Sequence, residues 1–165
     1  GATMTSKVEI RPYRAADLPA LHEITMEAFD GVSVDQIIER RYGLLGDSDW
    51  KTRKAGHIDD DVRRDVDGMF VAEQNGQIVG YITTWRDVVA GIGHIPNLAV
   101  REGYRGKGIG RQMIQHGLDF FEATGMTHAR IETLAHNEAG DHLYRSMGFT
   151  EITRQIHFVR ALGDG

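Results

Sequence analysis

The run Tyr104-Arg105-Gly106-Lys107-Gly108-Ile109-Gly110-Arg111 constrains this chain more than any other stretch. It sets three glycines and three cations between a β-prone segment, Gly93 to Val100, and a strongly amphipathic pattern. Glycines let successive backbone N–H groups turn toward one point, and the helix that follows adds unpaired donors and the positive end of its dipole. The result is an anion cradle that fits a diphosphate. Two nucleotide readings fail on spacing. G-x-G-x-x-G is not met, because Gly110 is followed by Arg111 and Gln112, and no Lys-Ser or Lys-Thr pair completes a P-loop.

The pattern around the cradle is strand then helix. Ile109, Met113, Ile114, Leu118 and Phe121 mark one stripe of a helix over Gly108 to Thr124, with Gly125 as its stop. Upstream, Met69 to Glu73 and Ile78 to Trp85 are β-prone runs joined through Asn75-Gly76, a hairpin signal. Pro96 offers no N–H, so a break or bulge is expected within the strand Gly93 to Val100. Lys7 to Tyr13 reads as a strand and Leu18 to Phe29 as a helix capped by Asp17; a second helix is predicted over Val34 to Leu45. The charged stretch Asp47 to Asp67 reads as loop with a helical turn. Ala129 to Ala135 is the next strand, Asn137 caps a helix through Met147, and Phe149 to Arg160 supplies the last strand.

At 165 residues the chain is expected to form one domain over residues 4–165, burying about two-thirds of its unfolded surface. Gly1 to Thr3 read as an expression remnant ahead of Met4. With 24 acidic against 19 basic residues and a formal charge of -5, no nucleic-acid partner is expected and cationic acceptors fit better. The absence of cysteine excludes disulfides, thiolate metal sites and a cysteine nucleophile. No apolar run reaches membrane-spanning length and no signal-peptide pattern is present, so a cytoplasmic protein without a membrane partner is expected. The eight histidines form no metal-ligand spacing, and no metal is expected.

Arg105, Gly108 and Gly110 satisfy the spacing Arg/Gln-x-x-Gly-x-Gly/Ala. Asn137, Gly140, Leu143, Tyr144, Gly148 and Phe149 satisfy Asn-x-x-Ala/Gly-x-x-Leu-Tyr-x-x-x-Gly-Phe, one helix and one strand downstream. In both motifs, in their separation and in the opening IRPYRAADLPAL, the chain resembles the GCN5-related N-acetyltransferase (GNAT) family. Only Ser33 to Asp67 matches nothing in it. The resemblance implies an α/β fold with a mixed six- or seven-stranded sheet, about four flanking helices, and central parallel strands that split to admit the pantetheine arm. It implies acetyl-CoA as cosubstrate, held by Leu98, Ala99 and Val100 in the strand, by the cradle residues Arg105, Gly106, Lys107, Gly108, Ile109, Gly110 and Arg111, and by Asn137 and Tyr144. A backbone N–H between Asn97 and Ala99 would meet the oxyanion.

Acetyl transfer needs a neutral amine, an oxyanion donor and a proton for the departing thiolate. Tyr144 occupies the family's acid position, and a phenol of pKa about 10 can donate there. Many members carry a Glu two residues before the leucine matched by Leu98, but this chain has Pro96 there, which removes no proton. Period-2 alternation puts His94, Pro96, Leu98 and Val100 on one face, which makes His94 the candidate base, acting through water or else merely bonding a loop. Glu132 and His136, sharing a face of the next strand, are further candidates. Asp59, Asp60 and Asp61 read as a solvated loop, or else as a lure for a cationic acceptor; Trp50 and Trp85 line a pocket or pack the core. The expected activity is direct attack by a small-molecule amine or a protein amino group in a ternary complex. The competing reading is an acyl-CoA-binding sensor without turnover. A homodimer is compatible with either.

Overall fold

The computed structural model describes residues 7–29, 31, 33–46 and 48–163; the expected remnant at Gly1 to Thr3 and Met4 lie outside the described residues. The order is β1 (Glu9–Pro12), α1 (Leu18–Ala28), α2 (Val34–Tyr42), α3 (Trp50–Arg64), β2 (Met69–Gln74), β3 (Gln77–Asp87), β4 (Ile92–Val100), α4 (Ile109–Ala123), β5 (His128–Ile131) and α5 (Glu138–Ser146), with three short 3-10 turns.

The strands lie in the order β1-β2-β3-β4-β5, antiparallel except for the parallel pair β4–β5. Asn75 and Gly76 both take positive φ, 53° and 74°, the two left-handed residues a tight hairpin between β2 and β3 requires. Alternation along β2 divides the core. Phe70 and Ala72 face α4, where they join Ile82, Ile95, Met113, Ile114 and Phe121. Met69 and Val71 face α1 and α3 among Leu21, Ile24, Ile58 and Tyr81. The sheet is therefore covered on both sides, and Tyr81 is fully enclosed with its hydroxyl 2.6 Å from Thr25 Oγ1.

Two expectations are corrected. Among the described residues the mixed sheet has five strands, not six or seven, because Phe149 to Arg160 forms no strand and its side chains stand largely in water. Among the described residues there are five α-helices rather than about four, because most of the expected loop 47–67 is the fifteen-residue α3. Asp49 caps α3, its Oδ1 accepting from Thr52 N at 2.8 Å, and Arg63 and Arg64 lie in its last turn, where cations favour the dipole. Its inward positions Trp50, Lys54, Ile58 and Asp61 follow helical spacing, but two carry charge, so hydrophobic periodicity could not reveal the face. A smaller correction concerns Asp17, whose side chain caps not α1 but the 3-10 turn before it, accepting from Arg14 N at 2.8 Å. It is buried, and Arg11 donates to its two oxygens at 2.8 and 2.9 Å.

β4 carries the feature that positions the site. It pairs with β5 only from Ile92 to Ile95; from Asn97 to Val100 it pairs with β3 alone, so the parallel strands part there. The register against β3 also slips between Thr83 and Trp85, opposite Ile95 and Pro96, the bulge that a proline without N–H predicts.

Candidate active site

On the α4 side of the parting, the cradle is built from backbone. Gly106 and Gly108 have φ of 75° and 81°, a region costly for residues with a Cβ, and Gly108 is the N-cap of α4. Among the described residues no acceptor meets the backbone N–H groups of residues 106 to 111, whereas Gln112 N already donates to Gly108 O at 3.0 Å. Six consecutive donors at a helix start form a built site for an anion. The cations frame it unequally. Arg105 Nε donates to Val100 O at 3.2 Å, tying the loop to the end of β4; Arg111 Nη2 donates to Ser146 Oγ at 2.6 Å, tying α4 to α5; the Lys107 ammonium lies 5.5 Å from the Tyr104 ring centre.

α5 is anchored by Asn137, whose Oδ1 accepts from Gly140 N at 3.2 Å while its Nδ2 donates to Thr133 Oγ1 at 2.8 Å. Further along the helix, Tyr144 packs beside the α4-side core, 6.3 Å from the Phe149 ring. Burial raises its pKa above the ordinary phenol value and keeps the proton on. Its hydroxyl meets no protein partner among the described residues, nor is it sealed from solvent.

On the opposite face, side chains from α3 converge on β4. Asn97 is buried; its Nδ2 donates to Asp61 Oδ2 at 2.6 Å, and its Oδ1 accepts from Lys54 Nζ at 2.8 Å. Thr83 Oγ1 donates to the same Asp61 oxygen at 2.9 Å. The second oxygen, Oδ1, has no protein donor among the described residues and is not sealed off, so solvent or a ligand can reach it. Burial raises the Asp61 pKa against the opposing pull of Asn97 and Thr83, and burial lowers that of Lys54, whose ammonium sits 4.2 Å from the Phe29 ring centre. Both groups are pushed toward their neutral forms.

Residues 19–149 match the acetyltransferase (GNAT) family. The chain belongs to that family. Among GNAT relatives, the mycothiol acetyltransferase of Streptomyces avermitilis is 35% identical over 85 residues, covering 52% of this chain and 28% of that one. The ribosomal protein bS18-alanine N-acetyltransferase of Escherichia coli is 34% identical over 84 residues, 51% of this chain and 55% of that one. The chain thus spans less than two-thirds of the length of these relatives. The crystal structure of the PaiA N-acetyltransferase from Thermoplasma acidophilum, in complex with coenzyme A, superposes with a TM-score of 0.70 at 19% identity, covering 87% of this chain and 90% of that one. At that identity the likeness is one of GNAT fold.

The positions that match the two GNAT motifs converge on the parted strands, with Leu98 and Val100 against the α4-side core and Ala99 on the other face. The base candidates fare differently. Because the bulge at Ile95–Pro96 inserts a residue, alternation is reset: His94 shares the α3 face with Asn97 and Ala99, not the face of Leu98 and Val100. Its ring stacks on Trp85 at 4.0 Å and 5° and its pKa is lowered, first by burial and then by Arg130. Glu132 and His136 lie beyond the end of β5, so no strand alternation unites them. Glu132 is exposed and paired with Arg130 at 3.0 Å, while His136 Nε2 lies 2.8 Å from Gly31 O. The three aspartates separate by partner: Asp59 meets His22 at 2.8 Å, Asp60 meets Arg63, and Asp61 is buried against β4. Sequence reasoning missed Lys54 and the Asn97 side chain, and offered Asp61 only within a run that solvates a loop or draws a cationic acceptor; the signals available were the Asp49 cap and the spacing 50, 54, 58, 61.

Proposed function

We propose that residues 4–165 act as one cytoplasmic acetyl-CoA-dependent N-acetyltransferase domain, moving an acetyl group to an amine by direct attack in a ternary complex. The observation that carries this is the run of six unaccepted N–H groups at the start of α4 beside the open edge of β4. Acetyl-CoA, when bound, supplies the thioester. The chain's part is to hold the diphosphate at Gly106 to Arg111, offer a β4 N–H near Leu98 to the carbonyl oxygen, and donate a proton from Tyr144 to the departing sulfur. With no cysteine in the chain, no thiol relay is available.

The proton on the acceptor goes to Asp61. Pro96 leaves β4 without its own carboxylate, but α3 delivers one to the neighbouring residue, held on one oxygen by Asn97 and Thr83 and open on the other. His94 is the weaker base, since Arg130 faces it, the Arg64 guanidinium covers the Trp85 ring it stacks on, and both repel a cationic acceptor. A small amine and a protein amino group both fit this chemistry. Calorimetric titration with CoA, followed by thiol release from acetyl-CoA across a panel of amines, tests the reading. Absence of CoA binding overturns it; CoA binding with no acetyl consumption by any amine replaces it with the sensor.

A further inference from the structure

The α3 side of the opening already holds an amine of the chain's own. Lys54 reaches from α3 to β4, where its Nζ donates to Asn97 Oδ1 at 2.8 Å. The same amide donates through Nδ2 to Asp61 Oδ2 at 2.6 Å, so one side chain holds the amine at one end and the carboxylate at the other. Among the described residues no carboxylate comes within ion-pair distance of Lys54; Asp35 and Asp61 act on it only from farther off, and the Phe29 ring centre lies 4.2 Å away. An amide oxygen and a ring face do not replace a counter-ion for a half-buried ammonium, and burial lowers the Lys54 pKa. The neutral amine so favoured is the nucleophilic form.

The place matters as much as the protonation. Asn97 directly precedes Leu98, whose N–H is offered to the thioester carbonyl, on the stretch of β4 that β5 leaves open. Neighbouring Cα atoms are about 3.8 Å apart, so an amine bonded to the Asn97 side chain lies at the margin of the acetyl position, within reach of rotations about a four-carbon stem. α3 delivers it from outside both GNAT motifs. The chain has four lysines. The other three, Lys7, Lys51 and Lys107, are exposed, and among the described residues none of them bonds to β4.

We propose that Lys54 is a modification site: with acetyl-CoA bound and no external amine in the opening, the chain acetylates its own Lys54. This rests on the acetyl-transfer reading above. The Nζ lone pair forms the new C–N bond to the acetyl carbon as the C–S bond breaks. The proton that nitrogen releases goes to Asp61, whose Oδ1 has no protein donor among the described residues; the departing thiolate takes the Tyr144 proton, and solvent carries a proton from Asp61 back to Tyr144. Lysine and acetyl-CoA become Nε-acetyllysine and free CoA, with no further reactant. The product amide neither carries charge nor attacks again, so each copy reacts once and the modified side chain stays beside β4. Because Lys54 is half-buried against its own β4, the transfer runs within one chain.

The test is the intact mass of the protein after incubation with acetyl-CoA alone, with peptide mapping to place the label. Wild type is expected to gain one acetyl group, on Lys54, with a rate constant that does not change with protein concentration. Lys54→Arg is expected to lose that label, and Asp61→Asn to acquire it at least about tenfold more slowly, each with a wild-type circular dichroism spectrum and CoA affinity by calorimetry within a few-fold of wild type. Protein unfolded in urea is expected to show no preference for Lys54. The wild-type map decides even where a variant fails to fold. Wild type that binds CoA but leaves Lys54 unmodified overturns the proposal, and if it still acetylates an added amine the acetyltransferase reading stands without it. Label spread over the exposed lysines, a rate that rises with protein concentration, or a folded Asp61→Asn that labels as fast as wild type also overturns it. Absence of CoA binding by wild type overturns both.

Discussion

The two sides of the β4–β5 opening are built by opposite means. On the α4 side, backbone N–H groups form the site, and the glycines at 106 and 108 are there because their φ is positive. On the α3 side the proposed acceptor site is made of side chains: Lys54, Asp61, Asn97 and Thr83 come from three elements up to 43 residues apart. A backbone site announces itself in a local run of glycines. A side-chain site assembled through space leaves no local trace.

The largest effect should come from Asp61→Asn. The amide keeps an oxygen for Asn97 and Thr83 but accepts no proton, so turnover should fall by roughly 10²- to 10⁴-fold. Stability should move little. The Asp61 pKa is raised in the fold, so the carboxyl favours folding while protonated and loses that contribution as pH rises through the raised value. Removing the charge at neutral pH therefore removes a cost, and Tm should drop by no more than about 3 °C, roughly 1 kcal/mol at this length. A large fall in Tm by calorimetry would make Asp61 a structural strut and erase the contrast.

Tyr144→Phe should lower turnover about 10²-fold while CoA affinity stays within a few-fold, because only the donor hydroxyl is removed from a site whose ring packing persists. Equal rates for variant and wild type would hand thiolate protonation to water. Gly108→Val sharpens the backbone half of the comparison. A Cβ at residue 108 would meet nothing within 4 Å, so the damage comes from the φ of 81° rather than from a clash, and CoA affinity should weaken by more than about tenfold, 1.4 kcal/mol. Unchanged affinity in a folded variant would remove the cradle from the site.

This contrast also explains what the sequence disclosed. The hairpin at Asn75-Gly76, the α4 stripe and the bulge at Pro96 are local rules, and each holds. The face of His94 escapes alternation because that rule assumes an unbroken strand, and the bulge that the same proline predicts resets the phase. α3 escapes it because Lys54 and Asp61 occupy inward positions where periodicity looks for apolar residues. The last strand, expected over 149–160, does not form, because β propensity alone supplies no partner edge.

The smallest effect is the one that separates the two bases. Burial raises Asp61 above the usual carboxylate range, while burial and Arg130 lower His94 below the usual imidazole range, so the two titrations move toward each other. In either case kcat/KM falls as pH drops, because a protonated base accepts nothing; the limb alone names neither residue. The groups facing Asp61 are Lys54 and Arg64 on α3, Asn97 on β4, and Thr83 and Tyr81 on β3. Of these, Lys54 is also pushed toward its neutral form, burial lowering its pKa. His94→Ala should therefore cost only a few-fold, from the lost stack on Trp85, and leave the acid limb where it stands in wild type. In Asp61→Asn the residual rate should lose that limb. If the imidazole variant loses the limb and the amide variant keeps it, the proton goes to His94, and the α3 carboxylate only positions Asn97.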